Sequence, residues 1–307
     1  MAERVDAGER GASPAEQRRP ADRAAMADVI TSRDNKWLKK FRAALRGTGP
    51  GAGESIGVEG PKLIEDAVRS GLAAEALLVS ETGERELEVI LHAAKETEAG
   101  IPRSRIFRTT DKLFAGVAGT ETPQGVAALF RQPAWEFEDV LRGSPTPEGA
   151  LRGEPALVVV MAGVQDPGNV GTIVRSSEAF GATGVVAARG TADAWSPKAL
   201  RASAGSALRL PLLRGIAIPV LLAQLTMARV KIFAASSKPG DGEAVTADLR
   251  APAAIFIGNE GAGLPPELLH AADATISIPI SAAVESLNAG VAASVVLYEA
   301  ARQRRKT

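Results

Sequence analysis

The chain predicts an α/β fold: a mostly parallel sheet with helices on both faces, preceded by a smaller α/β domain. Three observations carry this. Beyond residue 155, apolar runs at 156–163, 183–188, 230–235, 253–258 and 275–279 alternate with helical segments near 170–180, 196–206, 217–228, 264–271 and 286–301. The runs are built from Val, Ile, Leu and Ala, as strands buried on both sides require. Three strand-to-helix junctions are rich in Gly and polar residues: GVQDPGNVGTIVRSSEAFG at 163–181, IFIGNEGAGL at 255–264 and ISIPISAAVESLNAGVAASVVLYEA at 276–300. Ligands of parallel sheets sit at the C-terminal ends of strands, so three such junctions point to one composite site.

The elements follow in order. Residues 1–27 are rich in Ala, Arg, Glu and Pro, lack apolar periodicity, and read as a disordered leader. Residues 31–46 read as a helix with Ser32 as a candidate cap and Trp37, Leu38, Phe41 and Leu45 on one stripe. Arg33, Lys36, Lys39, Lys40, Arg42 and Arg46 flank that stripe, with Asp34 opposing. Such a face suits nucleic-acid phosphates; it is equally the face of an ordinary solvated helix. A strand and helix at 56–71, the strand EALLVS, the helix ERELEVILHAAKETEAG, the strand SRIFRTT, the short helix DKLFAGVAG and the segment TETPQGVAALF complete a domain over 28–130. Residues 131–154 mix Pro, Gly and charge and read as a linker, with 135–140 a candidate strand of the first domain. The second domain spans 155–302, and a basic tail occupies 303–307.

Composition narrows the chemistry. With 307 residues and 45% hydrophobic content, two cores are affordable. There is no Cys, which excludes disulfides, thiolate metal sites and thiol nucleophiles. His92 and His270 stand in no metal-ligand spacing, so neither a metal nor a His-based triad is expected. The formal net charge is zero, so a nucleic-acid partner must rest on local patches. No apolar stretch approaches transmembrane length and no signal-peptide pattern opens the chain, so a cytoplasmic protein without a membrane partner is expected.

At the first junction, Asn169 stands near a helix start, and Gly168 and Gly171 permit close approach of the backbone. Arg175 lies about two turns further on and offers a planar donor fork suited to phosphate, though an Arg there also serves as a surface ion pair. The string matches neither the phosphate-loop signature nor GxGxxG. At the second junction Asn259 and Glu260 sit among closely spaced glycines, before Pro265 and Pro266 open a helix. At the third, Ser286 is a candidate cap and Asn288 stands beside it. No base adjoins Ser286 in sequence, which favours polar positioning over covalent chemistry.

Together these segments resemble the SpoU (TrmH-type) RNA 2′-O-ribose methyltransferases of the SPOUT knotted class. The resemblance lies in NVGTIVRSSEAFGA at 169–182, RASAGSALRLP at 201–211, IFIGNEGAGL at 255–264 and IPISAAVESLNAGVAAS at 278–294. In the first domain, residues 32–45, VEGPKLIEDAV at 58–68 and TPQGVAAL at 122–129 resemble the family's L30e-like substrate-binding extension. The resemblance implies a trefoil knot near the C-terminus, a homodimer through the knotted domain, and S-adenosyl-L-methionine as cofactor. By motif, Gly258, Ile278 and Leu287 would cradle the adenosine portion, with Ile257, Gly263 and Ser286 nearby. Arg175 falls on the family's catalytic arginine, and Asn169, Glu260, Ser286 and Asn288 on its remaining polar site positions. Two departures are Ala282, where the third motif commonly carries Gly, and Ala289, where Val is frequent; both are small and apolar.

The substrate so implied is structured RNA, with 23S ribosomal RNA favoured over tRNA by the two-domain length. Arg33, Lys36, Lys39, Lys40 and Arg42 are the candidate RNA-binding residues. The alternatives are a tRNA 2′-O-methyltransferase and a non-catalytic knotted RNA-binding or ribosome-assembly protein. A nucleotide-binding metabolic enzyme is the third, against which the missing phosphate-loop and dinucleotide signatures stand.

Overall fold

A computed structural model describes residues 28–48, 55–97, 100–143, 154–236, 244–281 and 283–305. The leader expected at 1–27, Ala282, and residues 306–307 of the expected tail lie outside the described residues.

The first half contains β1 (Asp28–Val29), α1 (Lys36–Arg46), β2 (Ile56–Glu59), α2 (Pro61–Arg69), β3 (Ala74–Ser80), α3 (Glu84–Lys95), β4 (Ile106–Thr109), α4 (Asp111–Ala115) and β5 (Val126–Phe130). Its sheet has the order β1-β4-β3-β5-β2. β4 pairs in parallel with β1 and β3, and β5 runs antiparallel to β3 and β2. Leu38, Phe41 and Leu45 of α1 are buried against one face with Leu78 and Leu129, as the stripe predicts. The cap differs: Asn35 accepts from the Trp37 N–H at 2.8 Å, while the Ser32 hydroxyl accepts from Asp34 in the preceding turn.

The second half contains α5 (Phe137–Arg142), β6 (Leu157–Ala162), α6 (Pro167–Ala179), β7 (Gly184–Ala188), α7 (Pro197–Ser203), β8 (Leu212–Ile216), α8 (Ile218–Met227), β9 (Lys231–Ala235), β10 (Ala253–Gly258), α9 (Pro266–Ala271), β11 (Ala274–Ile276) and α10 (Ala289–Arg304). All six strands are parallel, in the order β11-β9-β10-β6-β7-β8. Alternate residues feed two cores. Leu157, Val159 and Met161 meet Val170, Ile173, Val296 and Leu297 of α6 and α10 on one face. Val158 and Val160 meet Val140, Leu221, Leu225 and Leu268 on the other. Each such fully buried aliphatic contributes roughly 1.5–3 kcal/mol.

Three expectations are corrected here. Residues 137–142 form α5, a helix and not a strand of the first sheet, closed by reciprocal bonds between Glu136 and Asp139. Its Val140 packs on β7, where a Cβ at Gly184 would stand 2.7 Å from the Val140 Cα, so part of the expected linker belongs to the second core. β8 was not expected; it is an edge strand whose residues Arg214 and Gly215 are not buried. The last helix extends to Arg304, whose guanidinium donates to the carbonyls of Pro155, Ala156, Leu249 and Ala251 at 2.6–3.1 Å. Gln303 and Arg304 therefore tie the end of the chain to the sheet and are not a solvated tail.

Candidate active site

The three Gly-rich junctions follow β6, β10 and β11 and meet at one end of the sheet. Local chemistry shapes each. Asp166 caps α6 by accepting from the Gly168 and Asn169 N–H groups, and Pro167 occupies the first turn, where its missing donor costs nothing. Lys198 of α7 pairs with Asp166 at 2.9 Å. The Lys198 ammonium, aided by the Gly168 and Asn169 N–H groups, holds the Asp166 carboxyl below its usual range. After β10 the chain doubles back: Asn259 and Gly263 exchange backbone bonds of 3.0 Å, and the Asn259 Oδ1 accepts from Gly261 and Ala262. Gly263 adopts φ +69°, and a Cβ on Gly258 would lie 2.4 Å from the Gly263 carbonyl carbon, so the hairpin closes only over glycine there.

One polar relay joins the junctions. The Asn288 Nδ2 donates to the Asn169 Oδ1 at 2.8 Å, and the Asn169 Nδ2 donates to the Glu260 Oε1 at 2.8 Å. Glu260 also accepts from the backbone N–H groups of Gln165 at 3.0 Å and Asp166 at 3.2 Å. Partial burial pushes the Glu260 carboxyl up, but the bonds from Asn169 and from backbone N–H groups outweigh it and hold it below its usual value. Asn288 caps α10, accepting from Gly290 at 2.9 Å and Val291 at 3.2 Å. That corrects the expectation for Ser286, which lies in the loop before the helix.

A cavity of about 430 Å³ opens between the second and third junctions. Its wall includes Ile257, Gly258, Gly263, Ile278, Ser286 and Leu287, all six residues expected to hold the cofactor. Ile276, Ile280, Ala289 and Val296 add apolar surface, and Asn259, Glu260 and Glu285 supply polar rim. The sequence reading missed Ile276, Ile280 and Val296, whose apolar side chains carry no sign of a ligand in a core-forming run. The volume lies in the range of small-molecule clefts.

The expected catalytic residues divide into three groups. Asn169, Glu260 and Asn288 come together but bond one another, which suits holding three loops in register better than proton transfer. Ser286 is exposed on the cavity wall and, among the described residues, its hydroxyl has no hydrogen-bond partner. Arg175 is not part of the cavity wall. It lies about 9 Å along α6 from Asn169, exposed and with no side-chain partner among the described residues. α6 and α10 run side by side, joined by a 2.6 Å bond between the Ser176 and Ser294 hydroxyls and an edge contact of Phe180 with Tyr298. Helical periodicity then puts Arg175 on the outer surface of this pair, beside Val291, Val295 and Tyr298.

The expected RNA-binding face of α1 is partly committed within the fold. Lys40 pairs with Glu75 at 2.5 Å, Arg42 donates to the Gly116 carbonyl at 3.2 Å and Lys39 pairs with Asp34 at 3.2 Å. Arg33 and Lys36 are exposed without side-chain partners among the described residues.

Comparison with known proteins agrees with this arrangement. Residues 156–298 match the model of the SpoU rRNA Methylase family, and residues 54–128 that of the MRM3-like substrate binding domain. The chain is 32% identical, over 92% of its length and 95% of the relative's, to a 23S rRNA (uridine(2479)-2′-O)-methyltransferase of Streptomyces viridochromogenes. It is 31% identical, over 78% of its length and 86% of the relative's, to the 23S rRNA (guanosine(2553)-2′-O)-methyltransferase RlmP of Bacillus subtilis. Among solved structures, the SpoU methyltransferase AviRb of Streptomyces viridochromogenes in complex with AdoMet superposes with a TM-score of 0.72 at 27% identity, covering 88% of this chain and 99% of that one. An AdoMet-bound rRNA methyltransferase of Sinorhizobium meliloti gives 0.74 at 27% identity, with coverages of 90% and 98%.

Proposed function

Because the chain belongs to the SpoU rRNA methylase family, we propose that it transfers a methyl group from S-adenosyl-L-methionine to a ribose 2′-hydroxyl of 23S ribosomal RNA. The observation that carries this is the composite end of the six-stranded sheet. Three family motifs meet there: the second and third line one cavity, the first is bonded to both through Asn169, and the relatives aligned over both halves of the chain act on 23S rRNA. Those two relatives modify different nucleotides, a uridine and a guanosine, so membership of the family does not fix the base.

The cavity fits the cofactor by its lining: Ile257, Ile278 and Leu287 offer apolar walls for a flat purine, and Asn259, Glu260, Glu285 and Ser286 place polar groups on the same wall. S-adenosyl-L-methionine, when bound, supplies a methyl group on a sulfonium centre that a hydroxyl oxygen can attack directly. The protein's part is positional and electrostatic. The Asn288–Asn169–Glu260 relay keeps the three loops at fixed separation. Ser286 presents a hydroxyl at the cavity wall for orienting a polar group. Arg175 holds the ribose or its adjacent phosphate through its donor fork; an ordinary guanidinium stays protonated and is a poor base.

Three finer features belong to the same proposal. The catalytic domain spans 155–302 and is threaded as a trefoil knot, supported by its motifs and by their convergence at one sheet end. The domain over 28–130 is an L30e-like RNA-binding unit, supported by the substrate-binding match at 54–128. The functional unit is a cytoplasmic homodimer. Supporting the dimer, Val291, Val295 and Tyr298 expose 48%, 40% and 50% of their surface along one face of α10. A second copy laid on that face would bring Arg175 to the site. No helix among the described residues is long and apolar enough to cross a membrane.

The test is transfer from labelled S-adenosyl-L-methionine to undermethylated RNA separated into 23S, 16S and tRNA fractions. Label in the 23S fraction is the expected result. Label confined to tRNA would overturn the substrate class, and a folded dimer that labels none would overturn the activity.

A further inference from the structure

A second cavity, of about 530 Å³, lies where the first half of the chain meets the start of α6. Arg46, Gly119, Thr120 and Glu121 form one wall, and Lys198 and Arg201 of α7 the other. The charged lining is three cations against one carboxylate, in a chain whose net charge is zero. The cations are differently placed. Arg46 is fixed, its Nε donating to the Ala118 carbonyl and an Nη to that of Gly116, each at 3.2 Å. Lys198 is held by Asp166, the cap of α6. Arg201 is exposed and, among the described residues, its guanidinium has no partner.

We propose that this cleft guides the ribose-phosphate backbone of the RNA toward the active site, with Arg201 gripping a phosphate. The inference rests on the functional reading above and adds a path to it. A guanidinium without a partner, opposite a second one pinned by carbonyls, offers two donor forks across a groove of nucleotide scale. The cleft is lined by Pro167 in the first turn of α6, so a strand lying in it leads to the same turn, which carries Asn169. Local cations draw a polyanion whatever the net charge, each phosphate contact adding to the salt dependence of binding.

The experiment is equilibrium binding of undermethylated 23S rRNA to the full chain across a salt series, for the parent, Arg201→Gln, Arg201→Lys and the control Arg85→Gln on the exposed side of α3. Arg201→Gln is expected to weaken RNA binding about tenfold and to lower the slope of log affinity against log salt by about 1. S-adenosyl-L-methionine affinity stays unchanged, which reports an intact fold. Arg201→Lys is expected to recover most of the salt slope. Equal RNA affinities and slopes for Arg201→Gln and Arg85→Gln would overturn the cleft. Because binding is read without turnover, a parent that binds through Arg201 but transfers no methyl group would leave the cleft standing and contradict the activity instead.

Discussion

Asn288 does two separable things: its oxygen caps α10, and its amide nitrogen reaches Asn169. Asn288→Asp keeps the acceptor and removes the donor. The variant is expected to keep the parent's melting temperature within a few degrees and to lose about tenfold in kcat; full activity would remove the relay from the mechanism. Arg175 stands outside the cavity wall, so Arg175→Ala is expected to lower transfer by about a hundredfold or more while S-adenosyl-L-methionine binding is kept. Equal activity of variant and parent would end that role. Gly258→Ala sets a methyl group 2.4 Å from backbone, an overpacking of about 1–3 kcal/mol. A folded protein with at least about tenfold weaker cofactor binding by calorimetry is expected. Motif resemblance named six residues of the cavity wall, Ile257, Gly258, Gly263, Ile278, Ser286 and Leu287, but not Ile276, Ile280 or Val296, which look like ordinary core residues in the sequence. It could not show that Asn169, Glu260 and Asn288 saturate one another, because those bonds join residues some ninety to one hundred and twenty positions apart.

Among elements, buried parallel strands were legible because continuous apolar runs bounded by glycine have few other readings. β8 was not, since an edge strand with a polar residue and a glycine at its centre lacks that run. Residues 135–138 alternate apolar and acidic, a strand-like period that breaks at Asp139; the reciprocal cap of Glu136 and Asp139 and the packing of Val140 decide for a helix. Ser286 and Asn288 are both good cap residues, and the choice falls to Asn288, which also contacts Asn169. The end of α10 gives a pH prediction. Bonds from Arg302, then Gln303, hold the Glu299 carboxyl at about 2 against an ordinary 4.5. A depressed folded value means stability fully present above the unfolded value and lost as pH falls from about 4.5 toward 2. The melting-temperature gap between the parent and Glu299→Gln should therefore be largest near neutral pH and shrink through that window. A gap constant from pH 7 to pH 2 would contradict it.

For the whole molecule, the proposed dimer would cover the exposed stripe on α10 and give a role to Arg175 beside it, which has no side-chain partner among the described residues. Val295→Glu places like charges in that face and is expected to give a monomer by light scattering, with S-adenosyl-L-methionine transfer lost. A parent that is monomeric at micromolar concentration would refute the dimer. That the described residues build two separate sheets was legible from composition and alternation, but the partners taken by the basic face were not. Glu75 takes Lys40 from 35 positions away, and cations on α1 and α7 meet in one cleft only after folding.

Methylation of a ribose oxygen is decided by where the new methyl group sits on the product. Undermethylated 23S rRNA treated with the protein and S-adenosyl-L-methionine should be digested to nucleosides and the new methylated species identified by mass spectrometry. A single 2′-O-methylnucleoside, with the added mass on the sugar fragment, is expected; a methyl group on the base fragment would rule out ribose methylation.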